Sequence, residues 1–343
     1  MKLSKYGTHR VLAPMGVLPQ AAQKINNDMN IFSNEILIDV DSLNIDSASF
    51  TQIRKACGDD VQKIEAMICN IVHERGKMQN PVTGSGGMLI GRIAQIGSEL
   101  QKTDLNIGDE IATLVSLSLT PLKINKIKAI HLGIDRVDIE GQAILFETGI
   151  YAKLPQDMSK ELALAALDVA GAPAQTAKLV KPGDAVLILG GGGKSGMLCA
   201  AEAMKRVGPT GRVVAVCILE EDRQRLIENN LCHEAVIADA TKPIELLDLV
   251  LDANNGEEYD ISFNVVNVAD TEMSTILPVK NGGIVYLFSM ATSFTKAALG
   301  AEGVGKDVTM IVGNGYTKDH ADITLALIRE NPRVRQIFEE RYI

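Results

Sequence analysis

Ala185-Val186-Leu187-Ile188-Leu189-Gly190-Gly191-Gly192-Gly193-Lys194-Ser195-Gly196 runs from an apolar stretch directly into a glycine-rich turn. Within it, Gly191, Gly193 and Gly196 spell G-x-G-x-x-G. In that spacing the first glycine permits a tight turn, the second lets backbone approach a pyrophosphate, and the third lets helix and strand pack closely. The N–H groups and dipole of a following helix favour negative phosphates. Gly193-Lys194-Ser195 also suggests a triphosphate-binding P-loop, but G-x-x-x-x-G-K-[ST] requires glycine at position 188, where Ile188 stands inside the strand. A dinucleotide-binding turn remains, if strand and helix flank it in the right order.

They do. Helical patterns over 161–167 and 174–180 lead into the turn Lys181-Pro182-Gly183-Asp184 and then into the apolar strand. A helix over 197–207, a second apolar strand over 212–219 and a second helix over 222–230 follow. Residues 235–238, 261–268, 283–288 and 308–312 supply further strands. Near-continuous apolar strands alternating with helices predict a parallel sheet covered on both faces, a doubly wound Rossmann α/β domain. Gly191, Gly193, Lys194, Ser195 and Gly196 are its candidate cofactor-binding turn, joined by Asn267 and Ser289 near the ends of later strands. The acid that grips the adenosine ribose is expected about twenty positions beyond the turn. Cys217 holds its usual place, and Glu220 or Glu221 comes slightly late. A glutamate on the ribose, with Glu220 as the candidate, selects NAD, whereas Arg223 taking over opens NADP. The alternative is that Glu220, Glu221 and Asp222 simply favour the positive end of the next helix.

The preceding part of the chain reads as short strands with turns, at 35–40, 88–96 and 107–115, interrupted by one helix over 53–75. A β-rich domain is therefore expected over 1–158 and the dinucleotide-binding domain over 159–316, with 317–343 a segment that could pack back onto the first. The 343 residues, 46% of them hydrophobic, suffice for two cores. No run long enough for a transmembrane helix is present, and Met1-Lys2-Leu3-Ser4-Lys5-Tyr6-Gly7 lacks a signal peptide's apolar stretch. Five scattered cysteines without C-x-x-C predict reduced thiols and a cytoplasmic setting. A net charge of −9, no tryptophan and 4% aromatic residues argue against nucleic-acid binding.

Three further segments, Pro81-Val82-Thr83-Gly84-Ser85-Gly86-Gly87, Gly91-Arg92-Ile93-Ala94-Gln95-Ile96-Gly97 and Leu105-Asn106-Ile107-Gly108-Asp109-Glu110-Ile111, precede the dinucleotide turn in order. Together with 165–177 and 179–188 they resemble the medium-chain dehydrogenase/reductase superfamily. The resemblance implies a GroES-like catalytic domain beside the Rossmann domain, and a homodimer. Zinc-dependent members carry Gly-His-Glu where this chain has Gly84-Ser85-Gly86, and their other ligands fall near Asp46 and near Asp168-Val169. A catalytic zinc needs three N, S or O side chains, so no metal is expected. By the same resemblance Asp46 stands where the metal would sit, as a candidate to hold a substrate ammonium or accept its proton. Asp168 is the second catalytic candidate. The bland alternative for Asp46 is that it caps a turn beside Ser47 and Ser49.

The N-terminal stretch 6–22, from Tyr6-Gly7-Thr8-His9-Arg10 to Gln20-Ala21-Ala22, narrows the resemblance to the 3,5-diaminohexanoate dehydrogenases of lysine fermentation. That implies oxidative deamination of a small diamino acid to a keto acid and ammonia with NAD(P). His9, Arg10 and Ser85 are the substrate-side candidates, the first two for its carboxylate. A zinc-free NADPH-dependent quinone or enone reductase, and a non-enzymatic cofactor-binding protein, are the alternatives.

Overall fold

A computed structural model describes residues 2–100, 104–114, 116–289, 291–313 and 315–343. The chain divides into two compact units, Met1–Pro155 and Gln156–Ile343.

In the first unit, β1 (Val11–Ala13) and β2 (Lys24–Ile25) form a small antiparallel pair. Six antiparallel strands follow: β3 (Glu35–Ile45), β4 (Gly87–Ile96), β5 (Glu110–Thr113), β6 (Leu122–His131), β7 (Arg136–Phe146) and β8 (Tyr151–Lys153). Their spatial order is β6-β7-β3-β4-β5-β8. Of the expected strand 107–115, Glu110–Thr113 is strand and Val115 lies outside the described residues. Ile36, Ile38 and Val40 of β3 are buried, and so are Leu43 and Ile45, which an unbroken alternation would place on the opposite face. An irregularity between Val40 and Ser42 against both neighbouring strands absorbs the extra residue and keeps all five in the core.

The single helix expected over 53–75 is two: α1 (Ser47–Cys57) and α2 (Val61–Arg75). Gly58 ends α1 at φ 62°, its N–H donating to the carbonyls of Arg54 and Lys55. Asp60 then starts α2 by accepting from the N–H groups of Gln62 and Lys63. An apolar period of 3.6 is common to both helices and does not reveal a break that left-handed glycine and an aspartate cap impose. Phe50 and Ile53 of α1 and Ile64, Ile68, Ile71 and Val72 of α2 join the core of β3.

The second unit opens with α3 (Lys160–Leu167) and α4 (Gly171–Leu179). It continues β9 (Ala185–Leu189), α5 (Lys194–Val207), β10 (Arg212–Cys217), α6 (Glu220–Glu228), β11 (Glu234–Ile237), α7 (Pro243–Ala253) and β12 (Tyr259–Asn264). After α8 (Glu272–Ile276), β13 (Val279–Leu287), α9 (Phe294–Val304) and β14 (Thr309–Val312) come α10 (His320–Glu330) and α11 (Pro332–Tyr342). All six strands pair in parallel, in the spatial order β11-β10-β9-β12-β13-β14. Numbered along the sheet this is 3-2-1-4-5-6, the Rossmann order. The segment 317–343 belongs to the second unit. Leu325, Leu327 and Ile328 of α10 and Val334, Ile337 and Phe338 of α11 are buried in the second unit, against α3, α4 and α5.

Two buried cations shape the N-terminal part. Arg10 is 1% exposed and Glu35 0%. The guanidinium donates through Nε (2.8 Å) and Nη2 (2.6 Å) to Glu35, and to the backbone carbonyls of Asp28 and Asn30. His9 Nε2 lies 2.8 Å from the same carboxylate, against the edges of Phe32 and Phe146. Burial pushes the Glu35 carboxyl up, but Arg10, the Phe32 N–H and His9 outweigh it and hold it below its usual value. Lys77, 0% exposed, donates Nζ to the carbonyls of Pro19 (2.6 Å) and Gln20 (3.2 Å), and burial pulls it down to about 8.

Arg10→Met strands the Glu35 carboxylate and should cost about 3–5 kcal/mol in urea unfolding at neutral pH. The loss should shrink in acid, because a carboxyl held low in the fold contributes stability only above its unfolded value and loses it as pH falls. A variant that kept wild-type stability and raised substrate KM would return Arg10 to the substrate. For Lys77 the slope has the same sign, in a higher pH window and with burial as its cause. Between about pH 8 and its unfolded value of 10.5 the unfolded chain holds the extra proton, so stability rises with pH there. Lys77→Met should flatten that rise relative to wild type, read as the urea midpoint at pH 8, 9 and 10.

Candidate functional site

In the second unit a cavity of about 340 Å³ opens at the carboxyl ends of β9, β10, β11 and β12. Its walls include Gly190, Gly192, Gly193, Cys217, Asp222 and Asp239. At Gly190, Gly191 and Gly196 the backbone leaves no room for a side chain. Gly190 sits at φ +91°, and a Cβ on Gly196 would lie 2.0 Å from the Gly190 carbonyl oxygen. A Cβ on Gly191 would meet Leu226 at 2.9 Å and Ala215 at 3.0 Å. Gly193 caps α5 without a side-chain acceptor, leaving first-turn N–H groups with no intrahelical partner. A dinucleotide's phosphates fit that cradle by charge and by close backbone approach.

Of the expected cofactor residues, Gly193 and Cys217 line this cavity. Burial pushes the Cys217 thiol up to about 12, so it is a neutral wall. Gly191 lies behind the turn, and Lys194, Ser195 and Gly196 form the first turn of α5. Lys194 turns its Nζ to Asp168, at 3.2 Å, and over the Tyr342 ring. Asn267 is exposed, and Ser289 accepts from Ala291 N–H in the bend after β13; neither lines the cavity.

Glu220 is not on the cavity. Its carboxylate is taken by Arg223 (2.7 Å) and Gln224 on its own helix, which hold it below the usual range. Asp222 is there instead: a Cβ on Gly192 would lie 2.3 Å from Asp222 Oδ2, while Oδ1 accepts from Arg225 (2.5 Å) and Arg341 (3.1 Å). In the sequence the three adjacent acids are equivalent. The helical turn alone decides that Glu220 points to residue 223 while Asp222 lies against the glycines.

In the first unit Asp46 ends β3 and begins α1. Its Oδ1 accepts from Ser49 N–H at 3.0 Å, so it is a helix cap. Its Oδ2 is buried and has no hydrogen-bond partner among the described residues. Ser49 Oγ lies 2.9 Å from Ser85 Oγ and 2.5 Å from Thr83 Oγ1, and Thr83 and Ser85 are 3.1 Å apart. The turn carrying them is pressed against this corner. A Cβ on Gly87 would lie 2.0 Å from Asn44 O, and one on Gly86 would lie 2.4 Å from Met78 O. Asn80 ties the turn to α1 through Ser49 O and Gln52. The structure thus gathers Asp46 and Ser85 around Ser49 and adds Thr83, which nothing in the spacing singled out. A buried carboxylate oxygen lacking a donor is suited to a cation such as an ammonium. His9 and Arg10 are not available for a substrate carboxylate, since Glu35 and backbone carbonyls engage them inside the fold. Among the described residues no three His, Cys, Asp or Glu side chains form a group able to hold a metal.

Solved structures sharing this architecture include a mycobacterial quinone oxidoreductase, 15% identical, TM-score 0.57, covering 94% of this chain and 93% of that one. A second mycobacterial structure, complexed with NADPH, is 15% identical with TM-score 0.55, over 95% of this chain and 86% of that one. At such identity they show the fold alone: a parallel Rossmann sheet in one unit and an antiparallel β-rich unit before it. Sequence relatives are far nearer. The L-erythro-3,5-diaminohexanoate dehydrogenase of Acetoanaerobium sticklandii is 68% identical over 344 residues, covering all of both chains. That of Fusobacterium nucleatum subsp. nucleatum is 66% identical over 99% of each. Residues 9–155 match the family model described as the L-erythro-3,5-diaminohexanoate dehydrogenase N-terminal domain. The chain belongs to the L-erythro-3,5-diaminohexanoate dehydrogenase family.

Proposed function

We infer that the protein oxidatively deaminates L-erythro-3,5-diaminohexanoate to 5-amino-3-oxohexanoate and ammonia, a step of lysine fermentation. The observation that carries this is the 68% identity along the entire chain to a relative of that name. A nicotinamide held at the glycine turn would supply the oxidant for C3. Asp46 supplies the base: a C3 ammonium holds its lone pair in an N–H bond and cannot drive oxidation at C3 until that proton is removed. Its partnerless Oδ2 supports this role. The Ser49, Thr83 and Ser85 hydroxyls, each both donor and acceptor, orient the amine and the water that replaces it. Ser85, whose hydroxyl lies 2.9 Å from Ser49 Oγ, and apolar Val169 stand where zinc-dependent enzymes of this fold carry ligands, and this supports chemistry without zinc.

The preference is for NAD. Asp222 presents a carboxylate beside Gly192 where a ribose hydroxyl would be accepted and a 2′-phosphate repelled. Arg223, the cation that would take that phosphate, is tied to Glu220. A homodimer is supported by β14, which ends the parallel sheet with an edge unpaired among the described residues. Free thiols at Cys57, Cys69, Cys199, Cys217 and Cys232 support a reducing cytoplasm.

Incubating the purified protein with NAD and the diamino acid should release NADH and ammonia in equal amounts. NADPH-driven reduction of a quinone or enone, with no turnover of the diamino acid, would replace this function by the reductase one. Asp46→Asn keeps a good helix cap, so it should fold as wild type while kcat falls at least about 10²-fold. Undiminished turnover in that variant removes Asp46 from the chemistry.

A further inference from the structure

The glycine turn poses a physical problem of its own. Gly190-Gly191-Gly192-Gly193 has more conformational freedom than any other tetrapeptide, and a phosphate cradle that must be ordered on binding weakens affinity by that entropy. Something outside the turn has to hold it. A carboxylate, Asp222, also lies directly against Gly192, close to where phosphate charge is to be placed.

The last turn of α11 addresses both. Arg341 Nη1 donates to the Gly192 carbonyl at 2.9 Å and to Asp222 Oδ1 at 3.1 Å. It thus joins the middle of the turn to the acid beside it and, with Arg225, fixes that carboxylate in place through Oδ1. The next residue, Tyr342, lies beneath Lys194, with Nζ 5.2 Å from the ring centre, so the end of the turn is held as well. Tyr342 in turn packs edge-on against Phe338, which is buried. Asn331 starts the helix by accepting from the N–H groups of Arg333 and Val334, and Pro332 occupies its first turn. The helix that delivers Arg341 is therefore anchored at both ends. Arg341 and Tyr342 do not themselves line the cavity.

We propose that Arg341 and Tyr342 form a latch that pre-sets the glycine turn and Asp222, making the C-terminal helix a determinant of dinucleotide affinity. For Asp222 this rests on the assignment of that residue to the ribose; for Gly192 it does not. Arg341 acts through other groups and is a positioning residue.

NADH binding, followed by the cofactor's own fluorescence, tests this without turnover. Arg341→Ala should raise the NADH Kd about tenfold, the scale of a lost charge-assisted hydrogen bond. Arg341→Lys, which keeps charge and a donor, should recover most of that. Thermal unfolding should shift little, because the side chain is on the surface. At saturating NAD, kcat and the KM for the diamino acid should stay within twofold of wild type. Wild-type NADH affinity in Arg341→Ala overturns the latch. So does a general fall in kcat and melting temperature that Arg341→Lys fails to rescue, the mark of a merely structural role. Asp222→Asn separates the two ideas: it should narrow the preference for NAD over NADP. If that preference is unmoved while Arg341→Ala still weakens NADH, the ribose assignment fails and the latch stands on Gly192.

Discussion

Helix α5 begins against the end of β9 so closely that a Cβ on Gly196 would lie 2.0 Å from the carbonyl oxygen of Gly190. No rotamer relieves an overlap with backbone, so this junction exists only with glycine. The close approach directs the first N–H groups of α5 across the mouth of the sheet, where the carboxyl ends of β9, β10, β11 and β12 define the cavity. Parallel pairing in the order 3-2-1-4-5-6 puts the strand reversal between β9 and β12 at that same mouth. The exposed N–H groups of the turn, the wall formed by Cys217 and the place of Asp222 all lie around the point where that one helix is permitted to start.

The first unit handles charge differently. Glu35 and Arg10 are both removed from water, and they are tolerated because each polar atom has a partner inside the fold. Asp46 shows the contrasting case: its Oδ1 is used by the helix cap and its Oδ2 is left buried without a donor. One oxygen of this aspartate is thereby structural, and the other is left without a partner. Position 46 is delivered to that corner by the irregularity of β3 between Val40 and Ser42, which resets the alternation just before the strand ends.

Local periodicity and local backbone demands were legible in the chain. Continuous apolar strands, 3.6-residue helices and the three motif glycines each report on contacts within a few residues, and they led to the parallel sheet and its turn. Where the sequence-based expectation erred, the deciding partner was distant or the signals were degenerate. Arg10 looks like a surface cation until Glu35, Asp28 and Asn30 are folded around it. Helices α1 and α2 share one apolar period, and only the left-handed geometry of Gly58 and the cap of Asp60 separates them. Residues 317–343 carry an apolar face, but nothing local says which core it covers; the surfaces of α3, α4 and α5 do.

By itself, the amino-acid sequence determined that a dinucleotide turn follows β9 and that a β-rich unit precedes it, because glycine spacing and hydrophobic period are properties of neighbouring residues. It also carried the resemblance that named the family. Tertiary structure alone decided which acid lies against the glycines, that Ser49 and Thr83 join Ser85 at Asp46, and that Arg341 reaches Gly192. These contacts join positions far apart in the chain or choose among adjacent like residues. A linear pattern holds no distance information for either, so folding has to supply it.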